Sequence, residues 1–312
     1  MGSKQRDRSS QSAVEETVKP RKKRSDGKAS VVAVGGSGDV LQVLYDYGLE
    51  INEQDAERVL LDIDTRCDQN VKMILTGGAF MWLCRPDISR TPKHLLSVAG
   101  LKELTDAVRD GTRSLVKGLS SRAKRDFVIG VDVYVGEDED RHAGQFAVVI
   151  RRGVSTATII PKMLPVGGES SYLGGFGTNE ARQVSHVVDT ALGRTLVLVC
   201  HDAQSFNHFT KAKIDNADVV THRERAVNAM RRQLKASPAY ALNLVHWVES
   251  AGNLKTFRVS YKQLQEDHPR LTLKEVVGAF GFDGNANDAT VADWAESLRR
   301  PSPSTPAYAI VR

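Results

Sequence analysis

The sequence predicts an α/β layered domain on three observations. Short apolar runs alternate with amphipathic helical stretches at both ends of the body, and strands outnumber helices in its middle. The run Leu196-Val197-Leu198-Val199 stops at Cys200, after which His201-Asp202 turns polar. A buried strand that delivers a thiol to its carboxyl end places that thiol where open α/β sheets form their crevices.

Residues 30–34 read as a first strand, closed by Gly35-Gly36-Ser37-Gly38. Residues 52–67 have helical periodicity, with Asn52 as cap and Ala56, Val59, Leu60 and Ile63 on one stripe. A strand at 71–75 ends at Gly77-Gly78, and helices follow over 92–99 and 101–123. Strands are expected at 127–135 and, after the acidic turn 137–140, at 144–150 and 156–160. A glycine-rich loop leads to strands at 184–188 and 195–200. A helix at 223–234, a strand at 241–247, a helix at 255–265 and a strand at 275–280 complete the body. Residues 301–306 read as a proline-rich surface crossing.

The formal charge of +5 is local. Residues 1–28 hold nine Lys/Arg against four acids, which leaves a body with 34 of each. Residues 1–29 are therefore read as a basic, disordered tail and 30–312 as one domain. Nucleic acid is not expected as a partner except through that tail, where Lys19-Pro20-Arg21-Lys22-Lys23-Arg24 could serve as a nuclear address in a eukaryote. Three widely spaced cysteines argue against a disulfide framework, and no run of about 18 apolar residues occurs. A soluble, cytoplasmic protein without membrane contact is expected.

Gly35-Gly36-Ser37-Gly38 lacks the Gly-Lys-Ser/Thr of a phosphate loop, and the eight histidines show no H-E-x-x-H or H-x-H spacing. No cofactor and no metal are expected. Cys67 and Cys84 read as packing residues.

The informative pattern is an ordered series. Val128-Ile129-Gly130-Val131-Asp132-Val133 is followed by Gln145–Ile150, the basic turn Arg151-Arg152-Gly153, and Ile159-Ile160-Pro161-Lys162-Met163-Leu164-Pro165. Glu169 comes next, and then Cys200-His201-Asp202. In this order and spacing the chain resembles the carbon–nitrogen hydrolase (nitrilase) superfamily, most strongly over residues 127–206. The resemblance implies a four-layer α-β-β-α sandwich, a homodimer or higher oligomer, and cleavage of a small amide or nitrile through a thioester or thioimidate on cysteine. It further implies that Cys200 is the nucleophile, Lys162 the cation facing the developing oxyanion, and Glu169 a second glutamate near the substrate.

General chemistry agrees with those roles: a thiolate needs a positive neighbour, and an oxyanion needs donors aimed at it. The His201 N–H, one residue past the nucleophile, is a natural donor. Asp202 and His246, the latter at the end of a later strand, are further pocket candidates. One departure stands out. Gly78 occupies the position where the resemblance calls for a catalytic glutamate, so Glu169, Asp202, His201 or Asp132 must act as base, or the protein has lost the chemistry. Two readings follow: a cysteine-dependent amidase, or a catalytically degenerate member of the fold that serves as a binding or regulatory subunit. A third, a scaffold whose tail binds nucleic acid, sits poorly with the neutral body.

Overall fold

In the computed structural model the described residues are 28–49, 51–136, 141–165, 178–207, 217–266, 268, 271, 273–301 and 306–312. The chain opens with β1 (Val31–Gly35), β2 (Val40–Asp46), α1 (Glu53–Arg66), β3 (Met73–Thr76), β4 (Met81–Arg85) and the short α2 (Pro92–Leu95). Then come α3 (Val98–Gly111), α4 (Arg113–Arg122), β5 (Asp126–Val135), β6 (Arg141–Ile150) and β7 (Thr158–Pro161). α5 (Asn179–Gln183), β8 (Val187–Thr190), β9 (Gly193–Val199), α6 (Ala217–Gln233) and β10 (Tyr240–Val248) follow. α7 (Ala251–Glu266), β11 (Glu275–Phe282), α8 (Asp288–Ser297), β12 (Arg299–Arg300) and β13 (Ala307–Val311) end the chain.

Local chemistry accounts for the first helices. Asn52 Oδ1 accepts from the Asp55 N–H at 2.9 Å, and the predicted stripe of Ala56, Val59, Leu60 and Ile63 is buried. The single helix expected over 101–123 is instead two. Thr112 leaves helical geometry at φ −114° and ψ 7°, and its hydroxyl donates to Val108 O at 2.7 Å. Gly111 beside this break lets Leu83 pack close, since a Cβ there would meet the Leu83 methyls at 2.7 Å and push them aside.

The strands form one continuous path, β7-β6-β5-β3-β2-β11-β10-β9-β8, with β13 added to β2, β1 to β13, and β4 to β5. The path folds over on itself at β2. This strand pairs with β3 through Val43, then with β11 at Tyr45 and Asp46. As a result β6 and β7 approach β9, and β3 approaches β10.

Three apolar clusters show the layers. The first joins α1, α3 and α4 to one face of β2, β3, β5 and β6, with Phe127, Ile129, Val131 and Val133 alternating outward. The second joins α6, α7 and α8 to β9, β10 and β11 through Leu198, Val245, Phe257 and Tyr261. Between them lies a third cluster whose elements are all strands, including Met73, Leu75, Val128, Ala147, Ile160, Val197, Val199, Leu242 and Leu244. Helix, sheet, sheet and helix therefore stack in the expected α-β-β-α order. Among the described residues no helix is long and apolar enough to cross a membrane.

One charged stitch holds the C-terminal strands. Arg299, only 1% exposed, donates from Nε to Glu275 Oε1 at 2.8 Å and from Nη1 to Gln42 Oε1 at 3.2 Å. Gln42 in turn donates to Gly278 O and Ala295 O. Removing one partner of a buried ion pair strands the other, so Arg299→Ala is expected to cost about 3 kcal/mol in urea unfolding. A loss below about 1 kcal/mol would show that water replaces the guanidinium.

Candidate active site at the carboxyl edge of the strands

β9 ends at Val199, and Cys200 starts a 3₁₀ turn over Cys200–Phe206. Cys200 holds φ +51°, the left-handed region that costs a residue with a Cβ. Ser237 shares that φ but caps a 3₁₀ turn, where left-handed residues are ordinary. At Cys200 the conformation makes a sharp strand-to-helix corner, while the side chain stays in the apolar cluster of Leu196 and Leu198. Sγ lies 3.1 Å from His201 Nδ1. In a continuing strand these neighbours would face opposite sides; the corner brings them together. Cys200 is buried, and the His201 ring rests against Phe257 at 5.4 Å.

Asp202 ties this corner to the segment after β7. Its Oδ1 accepts the N–H groups of Met163 (2.9 Å) and Leu164 (2.7 Å), while Oδ2 accepts that of Val199 (3.2 Å). The two stretches that carry Cys200 and Lys162 are thus pinned to one fully buried carboxyl group. Burial pushes Asp202 up to about 7, against the pull of its N–H donors and of the Lys162 charge. Lys162 is itself buried, with its N–H on Gln145 O at 2.8 Å. His186 sits 4.0 Å from Asp202 Oδ2, but burial lowers it to about 4 and its Nδ1 lies 3.0 Å from Val197 O, so it is neutral at pH 7.

Gly78 has a structural reason to be glycine. A Cβ there would come within 3.1 Å of both His246 Cα and Leu244 O, and its N–H donates to Val245 O at 2.9 Å. The neighbouring Gly77 and Gly130 are tighter still, a Cβ on Gly77 meeting the Phe280 backbone at 2.6 Å and one on Gly130 meeting Gly77 O at 2.1 Å. The exit of β3 lies between β5 and β10, and a Cβ at position 78 would ask the β10 backbone to give by a few tenths of an ångström.

His246 stands in a separate polar cluster. Asp132, 1% exposed, has its Oδ2 2.9 Å from His246 Nε2 and 3.0 Å from His142 Nε2. Burial would raise Asp132, but the charges of the two imidazoles reverse this and hold it below the usual carboxylate range. His246 Nδ1 lies 3.0 Å from Gln145 Nε2, and its Nε2 lies 3.1 Å from the Tyr47 hydroxyl. Two bulges build the cluster: one at His246 in β10 and one at Ala143 in β6, which sets His142 opposite Tyr134. Tyr47 stacks on the exposed Trp247, and Trp82 packs on Tyr134, giving the cluster an aromatic rim. Both ring nitrogens of His246 have partners, so it acts as a fixed wall.

The structure therefore brings Cys200 to His201, and Asp202 to the Lys162–Leu164 segment. It groups His246 with Asp132. Glu169 lies outside the described residues, as does the acidic turn 137–140. Cys67 is buried as expected, whereas Cys84 is exposed, because β4 lies at a margin of the sheet and turns that side chain outward. Sequence reasoning missed His142, Gln145 and Tyr47. The bulge that sets His142 in place leaves no periodic signal.

No family model matches the chain, and no curated protein matches it. Among solved structures it is similar to XC1258 from Xanthomonas campestris, a CN-hydrolase superfamily protein with an arsenic adduct in the active site. That similarity has 11% identity and a TM-score of 0.42, and covers 79% of this chain and 77% of the other. It is also similar to N-terminal amidase with a Gln-Gly peptide (11%, TM-score 0.34) and with an Asn-Glu peptide (10%, TM-score 0.35). These cover 75% and 74% of this chain, which spans about 55% and 54% of those chains. The layer order given above stands on the packing of this chain alone.

Proposed function

We propose that the protein is a cysteine-dependent hydrolase of a small amide or nitrile, with Cys200 as nucleophile and His201 as its proton acceptor. The observation that carries this reading is the corner at Cys200: a residue with a Cβ held at φ +51°, with Sγ 3.1 Å from an imidazole nitrogen. Local strain kept at a strand end is a mark of a working residue. The Cys–His contact supplies the base that the Gly78 position lacks.

In the proposed cycle the Cys200 thiol passes its proton to His201 Nδ1. The sulfur bonds to the amide carbon, and the C–N bond breaks as His201 protonates the leaving nitrogen. Water then adds to the thioester, the C–S bond breaks, and the thiol is restored. By resemblance, Lys162 and the His201 N–H face the developing oxyanion and Glu169 lies near the substrate. Self-association is part of the same reading, by resemblance.

The direct test is ammonia release from a panel of primary amides and nitriles by the Cys84→Ala chain, before and after Cys200 is blocked with iodoacetamide and the excess reagent removed. Release that stops on blocking supports the reading. Release that continues undiminished removes Cys200 from the chemistry. Silence across the panel, with Cys200 reacting only as an ordinary thiol, would favour the degenerate binding subunit.

A further inference from the structure

The strands β2, β3, β5, β9, β10 and β11 share one direction, so their amino ends lie together at the edge opposite Cys200. β9 alone, seven residues at about 3.3 Å each, sets the two edges roughly 20 Å apart. At the amino edge is a cleft of about 490 Å³, within the size range of small-molecule sites. Its lining includes Lys72, Lys124, Arg125, Arg151 and Arg152 against Asp126 and Asp189.

The cations differ in what holds them. Arg125 is spent on the frame, with its guanidinium on Asp64, Val71 O and Asp68 O. Lys72 pairs with Asp39 at 2.8 Å. Among the described residues the side chains of Lys124, Arg151 and Arg152 have no ion pair, and all three are exposed. The walls that carry them are fixed. Asp126 Oδ1 accepts the Arg152 N–H at 2.9 Å and Oδ2 accepts the Ala191 N–H at 2.7 Å, which joins the β6–β7 and β8–β9 turns. The Gly153 N–H donates to Ser120 O at 2.8 Å, and a Cβ on Gly153 would meet nothing within 4 Å. Asp126 is thereby committed to two backbone donors, and five cations on the lining face two acids, Asp126 and Asp189.

In a body with as many acids as bases, three exposed cations without an ion pair converge on one concave surface, and a concavity lined by one sign of charge concentrates the opposite sign. We infer that this cleft binds a phosphate-bearing ligand, held by Lys124, Arg151 and Arg152 and independent of the Cys200 site.

Two probes separate the sources of phosphate: inorganic pyrophosphate by calorimetry, and a fluorescent single-stranded oligonucleotide by anisotropy across a salt series. Both are run on the full chain and on the triple variant K124Q/R151Q/R152Q, whose exposed positions leave the core intact. Pyrophosphate should bind with one site per chain, and the triple variant should weaken it tenfold or more. Asp189→Asn should tighten it by up to about fivefold, the scale of one exposed charge pair. If the oligonucleotide also weakens in the triple variant, with a salt slope lower by about two to three, the phosphate belongs to a nucleic-acid backbone. If only pyrophosphate weakens, the ligand is a small phosphate compound. Equal binding of both probes by wild type and triple variant, or no binding of either, would overturn the inference. The basic tail is the same in all chains and cancels from the comparison.

Discussion

Cys200→Ala should lower amide or nitrile turnover by about 10⁴-fold or more, because nothing else at the corner can carry the acyl group. The same position should show a signature in stability. The alanine keeps a Cβ in the left-handed region, whereas Cys200→Gly removes it. Cys200→Gly should therefore be about 1 kcal/mol more stable than Cys200→Ala in urea, although both are inactive. Equal stability would mean that the corner relaxes without strain, and the argument from strain to function would fall. Turnover surviving in both variants would remove the nucleophile altogether.

Asp202→Asn carries the second large effect. An amide can offer one oxygen to Met163 and Leu164, but it then turns its NH₂ toward the Val199 N–H, donor against donor. The cost is about 1–3 kcal/mol at pH 5. Its pH dependence has a definite sign. Burial sets the folded value near 7, above the unfolded carboxyl at about 3.9. The stabilisation tied to the protonated form is thus complete below about pH 3.9 and is lost as pH rises through about 7. Wild type should weaken over that window while Asp202→Asn does not follow it, so the gap between them should close toward pH 8. Urea midpoints at pH 5, 6, 7 and 8 measure this. A constant gap would show that the three N–H donors and Lys162 keep Asp202 ionised throughout. Loss of the pin should also lower turnover, since the Lys162 segment is no longer held to the corner.

Much of the fold was legible because its interior is patterned. The outward row Phe127, Ile129, Val131 and Val133 and the inward Val128 announce a strand covered on both faces. The helix at α1 was readable from its cap and stripe. The strands β2, β4 and β13 were not, since Val40–Asp46 follows a glycine run that reads as a flexible turn, and Met81–Arg85 is short and partly exposed. Their pairing is set by distant partners, Leu41–Tyr45 with Ala307–Val311 and Trp82 with Asp132.

The site was legible in part. Cys200 stood out because an apolar run ends on it, but its left-handed corner and its contact with His201 depend on a turn that strand periodicity places on the wrong side. Gly78 read as a missing base. The structure adds that the β10 backbone lies 3.1 Å from where a Cβ would stand. The Asp132, His142 and His246 cluster depends on two bulges and on the folding of one sheet half over the other, which no local pattern encodes. Cys200, His201, Asp202, Lys162, Asp132 and His246 were visible as residues; His142, Gln145 and Tyr47 were not, and neither was the grouping.

The measurement that bears most directly on the central claim is the rate of Cys200 alkylation against pH, with Cys200→Ala used to subtract Cys67 and the exposed Cys84. The account predicts a rate that stays on its plateau well below about pH 7.5, as expected of a thiolate paired with a cationic neighbour. A slow rate that rises only near the free-thiol value of about 8.5 would contradict it. In that case Cys200 is a buried thiol at a strained corner, and the hydrolase reading gives way to the binding one.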